Sequence, residues 1–135
     1  MVQQITIDLP PYKRGFHLIT KHIMNGLGPL PSLGLLNVFI QHTSAGLSIN
    51  ENADPTVRLD FETVFNRLVP ENQRYAHEDE GMDDLPAHIK TSLTGTSIAI
   101  PITDGKLNLG IWQGIYLCEF RNYGGSRKLI ATILY

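Results

Sequence analysis

The chain has 135 residues, a formal charge of −2 and a single cysteine, Cys118. That length suits one domain spanning residues 1–135 with its own hydrophobic core, and the scattered Lys and Arg form no basic block of the kind a nucleic-acid surface needs. One cysteine excludes a disulfide framework and a Cys-type zinc motif, and no apolar run is long enough for a signal peptide or membrane span; the expected setting is the cytoplasm, with neither nucleic acid nor membrane as partner.

Residues 3–9 alternate, with Ile5, Ile7 and Leu9 on one face and Gln4, Thr6 and Asp8 on the other. This predicts a half-buried strand stopped by Pro10-Pro11. A short strand near Phe16, a short helix over Thr20–Leu27 and a turn-rich loop with Pro29, Pro31 and Gly34 follow. From Leu35 to His42 the pattern is again that of a strand, and parity sets Leu36, Val38, Ile40 and His42 on one face. A polar connection then leads to a helix with Asp54 as N-cap and Pro55 at its first position. Val57, Phe61, Val64, Phe65 and Leu68 give that helix an amphipathic stripe ending before Pro70. After the acidic loop His77–Asp84, Asp83 or Asp84 caps a second helix through about Leu93, closed by Gly95. Strands over Ser97–Ile102, Ile115–Arg121 and Lys128–Leu134 complete the chain. Strand pairs and isolated helices in this order predict an α+β domain, a mainly antiparallel sheet packed with two principal helices.

Three histidines sit where chemistry is plausible. His42 ends a strand on its apolar side, His88 borders the buried stripe of its helix, and His77 opens the acidic loop. Imidazoles held by rigid elements suit a metal such as zinc, although a histidine at a strand end also serves as an ordinary satisfied polar residue. The loop gathers Glu78, Asp79, Glu80, Asp83 and Asp84 in eight residues without the order of an EF-hand. It is either a solvated surface with capping duties or an oxygen-rich site for magnesium shared with a substrate pyrophosphate.

Thr43 and Ser44, followed by Gly46, can present hydroxyls and backbone N–H groups to a phosphate. Glu51 is either a proton-transfer group or a capping residue, with Asn50 beside it. Asp60 borders the helix stripe, where a buried carboxylate needs an ion-pair partner or a functional role. Trp112 and Gln113 lie between Gly110 and Gly114, so Trp112 either stacks on a flat ligand or plugs the core. Glu119 shares strand parity with Ile115 and Leu117, and an acid on an apolar face needs a partner; Arg121 is the nearest.

Taken together, His42-Thr-Ser-Ala45, Asn50-Glu51 with Asp54 and Asp60, His77-x-x-Glu80-Gly81, Asp83 with Pro86-x-His88, Gly110-x-Trp-Gln-Gly-Ile115 and Glu119-x-Arg121 resemble the YjbQ-like family. That family is often labelled secondary thiamine-phosphate synthase. The resemblance runs through most of the chain from residue 35. It implies a strongly curved or sandwich-like sheet and a homotrimer with clefts near subunit contacts. It also implies a thiamine-phosphate synthase activity that joins a hydroxymethylpyrimidine pyrophosphate to a thiazole phosphate and releases pyrophosphate. Ile111, Met82 and Leu18 depart from the family pattern.

Combined with the residues, this sets out a site. His42, His77 and His88 are expected to converge on a divalent metal, zinc or magnesium, with Asp83 as an oxygen ligand. Glu51, Glu80 and Asp60 are the candidate catalytic carboxylates. Thr43, Ser44, Asn50, Trp112, Gln113, Glu119 and Arg121 are expected to bind a small phosphorylated metabolite. A metal-assisted hydrolase of such a metabolite and a non-catalytic trimeric ligand-binding module remain as alternatives.

Overall fold

The computed structural model describes every residue from Met1 to Tyr135. Eight strands and three helices follow in the order β1 (Val2–Leu9), β2 (Gly15–Leu18), α1 (Thr20–Leu27), β3 (Leu33–Ile40), β4 (Ala45–Glu51), α2 (Pro55–Leu68), α3 (Asp84–Thr94), β5 (Ser97–Thr103), β6 (Lys106–Leu107), β7 (Gln113–Glu119) and β8 (Arg127–Leu134). They form two antiparallel sheets, one in the order β1-β8-β3-β5-β6 and one in the order β2-β7-β4. The expected α+β architecture with curled antiparallel sheets is present, and α1 adds a third helix to the two principal ones.

Alternation builds the core. Leu36, Val38 and Ile40 of β3, Leu129, Ala131 and Ile133 of β8, and Ile100 and Ile102 of β5 turn inward from the larger sheet. They meet Ala45 and Leu47 of β4 and Ile115 and Leu117 of β7, while Ile23 and Leu27 of α1 close one side. The other face of β7 is also covered. Tyr116, Cys118 and Phe120 pack with Phe16 of β2, Ala87 of α3 and the partly buried Phe61 and Phe65 of α2. Burial on both faces explains why β7 reads as a near-continuous apolar run rather than an alternating one. Cys118 is sealed there, and burial pushes its thiol up to about 12.

Strand β4 lies where the sequence suggested only a polar connection. Gly46 and Ser48 weaken the alternating signal of Ala45, Leu47 and Ile49, and small residues are needed because α3 packs directly on the strand. A Cβ on Gly46 would collide with Thr94 Oγ1 and stand 2.8 Å from the Gly95 carbonyl oxygen. That carbonyl accepts from the Leu47 N–H at 3.1 Å. The close approach fixes α3 over the start of β4.

Helix α2 starts as expected, with Asp54 Oδ1 accepting from the Thr56 N–H at 2.9 Å and Pro55 at its first position. Its stripe is narrower than the periodicity suggested: Phe61 and Phe65 pack on the ring of Phe16, whereas Val64 and Leu68 are exposed. The helix lies along the rim of β2 and rests on one row of side chains only. At α3, Asp83 occupies the N-cap position, but neither it nor Asp84 makes a side-chain capping bond. Both carboxylates are occupied elsewhere.

Candidate metal centre

Asp84 and His88 lie four residues apart on α3, so they share a helix face. Asp84 is 1% exposed, and a carboxylate that deep requires charged or hydrogen-bonding partners. Its Oδ1 accepts from the Arg121 guanidinium at 2.6 Å. Its Oδ2 lies 2.8 Å from His77 Nε2 and 3.2 Å from His88 Nε2. His77 arrives on the loop before the helix, and its ring centroid is 5.6 Å from that of His88.

Arg121, just past the end of β7, staples this loop. Besides Asp84 it donates through Nε to Asp83 Oδ2 at 3.0 Å and through a terminal nitrogen to the Glu80 carbonyl at 3.1 Å. Asp83 Oδ2 also accepts from the Asn122 N–H at 2.8 Å. Burial pulls the Asp83 carboxyl upward, but the Asn122 amide and the Arg121 guanidinium outweigh it and hold the group below the usual carboxylate range.

The protons at His88 can be assigned from its partners. Nδ1 lies 2.9 Å from the Thr43 carbonyl oxygen, which only accepts, so Nδ1 carries a hydrogen. In the neutral ring Nε2 is then a bare lone pair, and it faces the lone pairs of Asp84 Oδ2. Such a contact requires either a second proton on His88 or a cation between the two atoms. The donor atoms of His77, Asp84 and His88 lie within 4.8 Å of one another, a spacing that can hold one metal ion. Two imidazole nitrogens with one carboxylate oxygen form a known zinc donor set, and an Nδ1–H bonded to a carbonyl is the usual way a ligating imidazole is oriented.

His42 does not join them. It stands two residues beyond β3, and both of its ring nitrogens face donors: Nε2 accepts from the Lys128 N–H at 2.8 Å, and Nδ1 lies 3.3 Å from a terminal nitrogen of Arg127. Burial, and then the Arg127 charge, hold its pKa below the ordinary value against an opposing pull from Glu119. Asp83 is likewise bound to Arg121 and Asn122 rather than turned toward the imidazoles. Glu119 is fully buried as its strand parity required, but its side-chain partner is Arg127, not Arg121. Strand β7 ends at Glu119, so parity stops governing direction there and Arg121 turns toward α3. Ser44 is buried, and its hydroxyl accepts from Arg127 at 3.0 Å.

The remaining expected residues lie elsewhere. Ala45 is opposite Glu119 in the β4–β7 register and Glu51 is opposite Gln113, which places Glu51, Asn50 and Gln113 roughly 20 Å from the Glu119 end at about 3.3 Å per residue. There Gln113 Oε1 accepts from the Gly110 N–H at 2.8 Å, and Asn52 donates to the carbonyls of Ile111 and Gln113 at 3.2 and 3.1 Å. Glu51 Oε2 accepts from the Asp54 N–H at 3.4 Å. Trp112 is 63% exposed, so it does not plug the core. Asp60 is exposed on α2 and is not the buried carboxylate its position suggested. Of the three candidate catalytic acids, only the exposed Glu80 belongs to the segment that carries Asp84. A cleft of about 380 Å³ opens beside His77, walled by Arg74, Tyr75, Asp79, Met82 and Leu85 among others.

Two residues of the site carry more than the sequence suggests. Asp84 reads there as a cap or as one acid of an oxygen-rich loop, although its i, i+4 spacing to His88 carries the signal of a shared face. Arg127 had no local signal, because its pairing with Glu119 depends on the turn between β7 and β8.

Fold and site together define a small α+β protein whose curled antiparallel sheets support a cluster of two histidines and one aspartate with donor atoms within 4.8 Å of one another. The chain belongs to the family described as UPF0047 protein YjbQ-like, which it matches over residues 3–135. It is 51% identical over 135 residues to the UPF0047 protein YjbQ of Escherichia coli O157:H7, with 98% of each chain covered. It is 41% identical over 87 residues to the UPF0047 protein YugU of Bacillus subtilis, with 64% of each covered. The crystal structure of a yjbq/upf0047-family protein from Clostridium acetobutylicum matches with a TM-score of 0.83 at 39% identity, covering 96% of this chain and 99% of that one. Membership accounts for the fold and brings no activity with it.

The lowered pKa of His42 has a consequence for stability. Between its folded-state pKa and about 6.5, the unfolded chain binds the proton more readily. Stability is therefore retained above about pH 6.5 and falls as the pH drops through that window. Thermal melts of metal-stripped protein from pH 8 to pH 5 should show a shallower decline for His42→Gln than for the wild type; identical declines would contradict the assignment.

Proposed function

We propose that the protein is a metal-dependent enzyme that holds one divalent ion on His77 Nε2, Asp84 Oδ2 and His88 Nε2 and acts on a small phosphorylated metabolite. The observation that carries this is the gathering of His77 Nε2, Asp84 Oδ2 and His88 Nε2 within 4.8 Å of one another while His88 Nδ1 is committed to the Thr43 carbonyl. Two nitrogens and one oxygen suit zinc, which leaves an open position in such catalytic sites, better than magnesium, which prefers oxygen throughout. When bound, the ion supplies Lewis-acid chemistry at a phosphoryl oxygen.

The chain's own groups do the rest. Arg121 holds Asp84 Oδ1 and the loop carbonyl of Glu80, so Oδ2 cannot swing away from the imidazoles. The Glu80 carboxylate, exposed on that segment, is the proton-transfer group. Thr43, whose carbonyl already touches His88, offers its exposed hydroxyl to a substrate oxygen. The buried free thiol of Cys118 fits a cytoplasmic setting.

Within this class the family resemblance favours thiamine-phosphate synthase chemistry, in which a hydroxymethylpyrimidine pyrophosphate is joined to a thiazole phosphate and pyrophosphate departs. Stacking of Trp112 on the pyrimidine then requires a neighbouring copy, since Trp112 lies at the far end of β7 in its own chain. A homotrimer is part of the same proposal. Leu33, Leu35, Phe39 and Leu134 are exposed on the outer face of the larger sheet, with Leu35 directly opposite Leu134, and a second copy can cover this apolar patch.

Hydrolysis of a phosphorylated metabolite is the second reading, and one observation favours it. Two guanidiniums near the site are committed to carboxylates, Arg121 to Asp83 and Asp84 and Arg127 to Glu119. A departing pyrophosphate is left with Arg74 of the cleft, an exposed side chain that itself pairs with Glu78 at 3.3 Å.

Calorimetric titration of metal-stripped protein with zinc should give one ion per chain. Asp84→Asn and His88→Ala should each weaken binding at least tenfold, and His42→Ala should leave a site in place; unchanged affinity in the first two would overturn the metal assignment. Product analysis then separates the readings, because thiamine phosphate forms only with both substrates, whereas a hydrolase consumes either alone. Binding of zinc and substrate without turnover would instead leave a ligand-binding module. Light scattering should report a trimer, and a monomer would exclude that assembly.

A further inference from the structure

We infer that Arg127 is a positioning residue of the metal centre, acting through the turn that carries the Thr43 carbonyl. The inference rests on the metal reading of His77, Asp84 and His88 but can be tested separately from it.

Glu119 ends β7 and Arg127 begins β8, and both are almost wholly buried. Arg127 meets the carboxylate side-on, with Nε donating to Oε1 at 2.8 Å and a terminal nitrogen donating to Oε2 at 2.6 Å. A buried pair of this kind recovers little more than its own desolvation cost. Its specific contribution is a guanidinium plane fixed in position and angle. The chain closes tightly over it: a Cβ on Gly124 would stand 2.6 Å from the Arg127 terminal nitrogen and would overlap Glu119 Oε1.

The donors left over all point at one turn. The terminal nitrogen that binds Glu119 also donates to Ser44 Oγ at 3.0 Å and to the Ser44 carbonyl at 3.3 Å. The other terminal nitrogen lies 3.3 Å from His42 Nδ1. Thus Ser44, on one side of Thr43, is tied to this guanidinium, whereas His42, on the other, only packs against it, because the Lys128 N–H takes its Nε2 lone pair and the neutral ring then carries its hydrogen on Nδ1. Thr43 itself is exposed, and its carbonyl accepts the His88 Nδ1–H at 2.9 Å. That bond decides which ring nitrogen of His88 is left to face Asp84.

The position of the carbonyl depends on the turn, and Arg127 anchors the turn at Ser44. Its other anchors, the Lys128 N–H on His42 Nε2 and the Gln41 N–H on the Lys128 carbonyl, lie on the β3 side of Thr43. On the β4 side the pairing of Ala45 with Glu119 is a further anchor, and Arg127 is the partner that holds the Ser44 side chain. Without Arg127 the Nδ1–H form of His88 would lose its selection over the Nε2–H form, which cannot bind a metal through Nε2. Loss of such an outer partner typically weakens metal binding about tenfold to a hundredfold.

The direct test removes both charges together, because Arg127→Met alone would strand a buried carboxylate. Arg127→Met/Glu119→Leu and the milder Ser44→Ala are compared with wild type by circular dichroism, by zinc affinity in competition with a chelator, and by the nitrogen-15 imidazole signals of His88 in metal-free protein. Wild type should show a single His88 state with Nδ1 protonated. The double variant should show tautomer exchange and bind zinc about tenfold to a hundredfold more weakly, and Ser44→Ala should shift both readouts in the same direction by a smaller amount. A folded double variant with unchanged zinc affinity and an unchanged His88 tautomer would overturn the role of Arg127. Should the double variant fail to fold, Ser44→Ala decides: a wild-type tautomer and affinity there would overturn it equally. Failure of wild type itself to bind zinc would defeat the metal reading instead, while the tautomer signals would still report whether the turn orients His88.

Discussion

One buried carboxylate organises the site half of this molecule. Asp84 is almost completely withdrawn from water, and an uncompensated charge at that depth costs several kcal/mol. Each of its oxygens therefore recruits a different part of the chain. Oδ1 draws Arg121 in from the end of β7, and Oδ2 draws the His77 loop and His88 in the second turn of α3 together. The loop from 77 to 84 carries five acids and would repel itself in isolation; around Asp84 it becomes a defined segment held by three arginine donors.

A second buried pair, Glu119 with Arg127, stands immediately beside the first. Two residues apart at the end of β7, Glu119 and Arg121 belong to separate networks because the strand stops between them. One network holds side chains that can meet a metal, and the other holds backbone that orients one of those side chains. Behind both, the fully buried Lys90 of α3 donates to Asn66 of α2 at 2.7 Å and ties the two helices to each other. The helical layer is thus bolted by polar contacts as well as by the aromatic cluster around Phe16.

Much of the fold could be read from local patterns. Alternation located β1, β3, β5 and β8, and the Asp54-Pro55 start located α2, since each signal depends on neighbours a few residues away. Strand β4 was hidden because its outer face is covered by α3, a tertiary fact that turned an expected polar face into Gly46 and Ser48. The site was legible in part. His77 and His88 were recognised from their setting, and Glu119 was recognised as an acid that had to find a partner. His42 was misjudged because parity indicates a side of the sheet without indicating which donors wait there; the Lys128 N–H and Arg127 are brought in by β8, more than eighty residues away in sequence. Glu51 and Trp112 share motifs with the other candidates but sit at the opposite end of the same two strands, and linear order does not reveal strand direction.

The central claim is that His77, Asp84 and His88 supply the ligands of one divalent ion. X-ray absorption at the zinc edge, on protein loaded with one equivalent, tests this most directly. The proposal calls for two imidazole nitrogens and carboxylate oxygen at about 2.0–2.2 Å, with one imidazole lost in His88→Ala. A shell of oxygen alone, or one with a third imidazole contributed by His42, would contradict it.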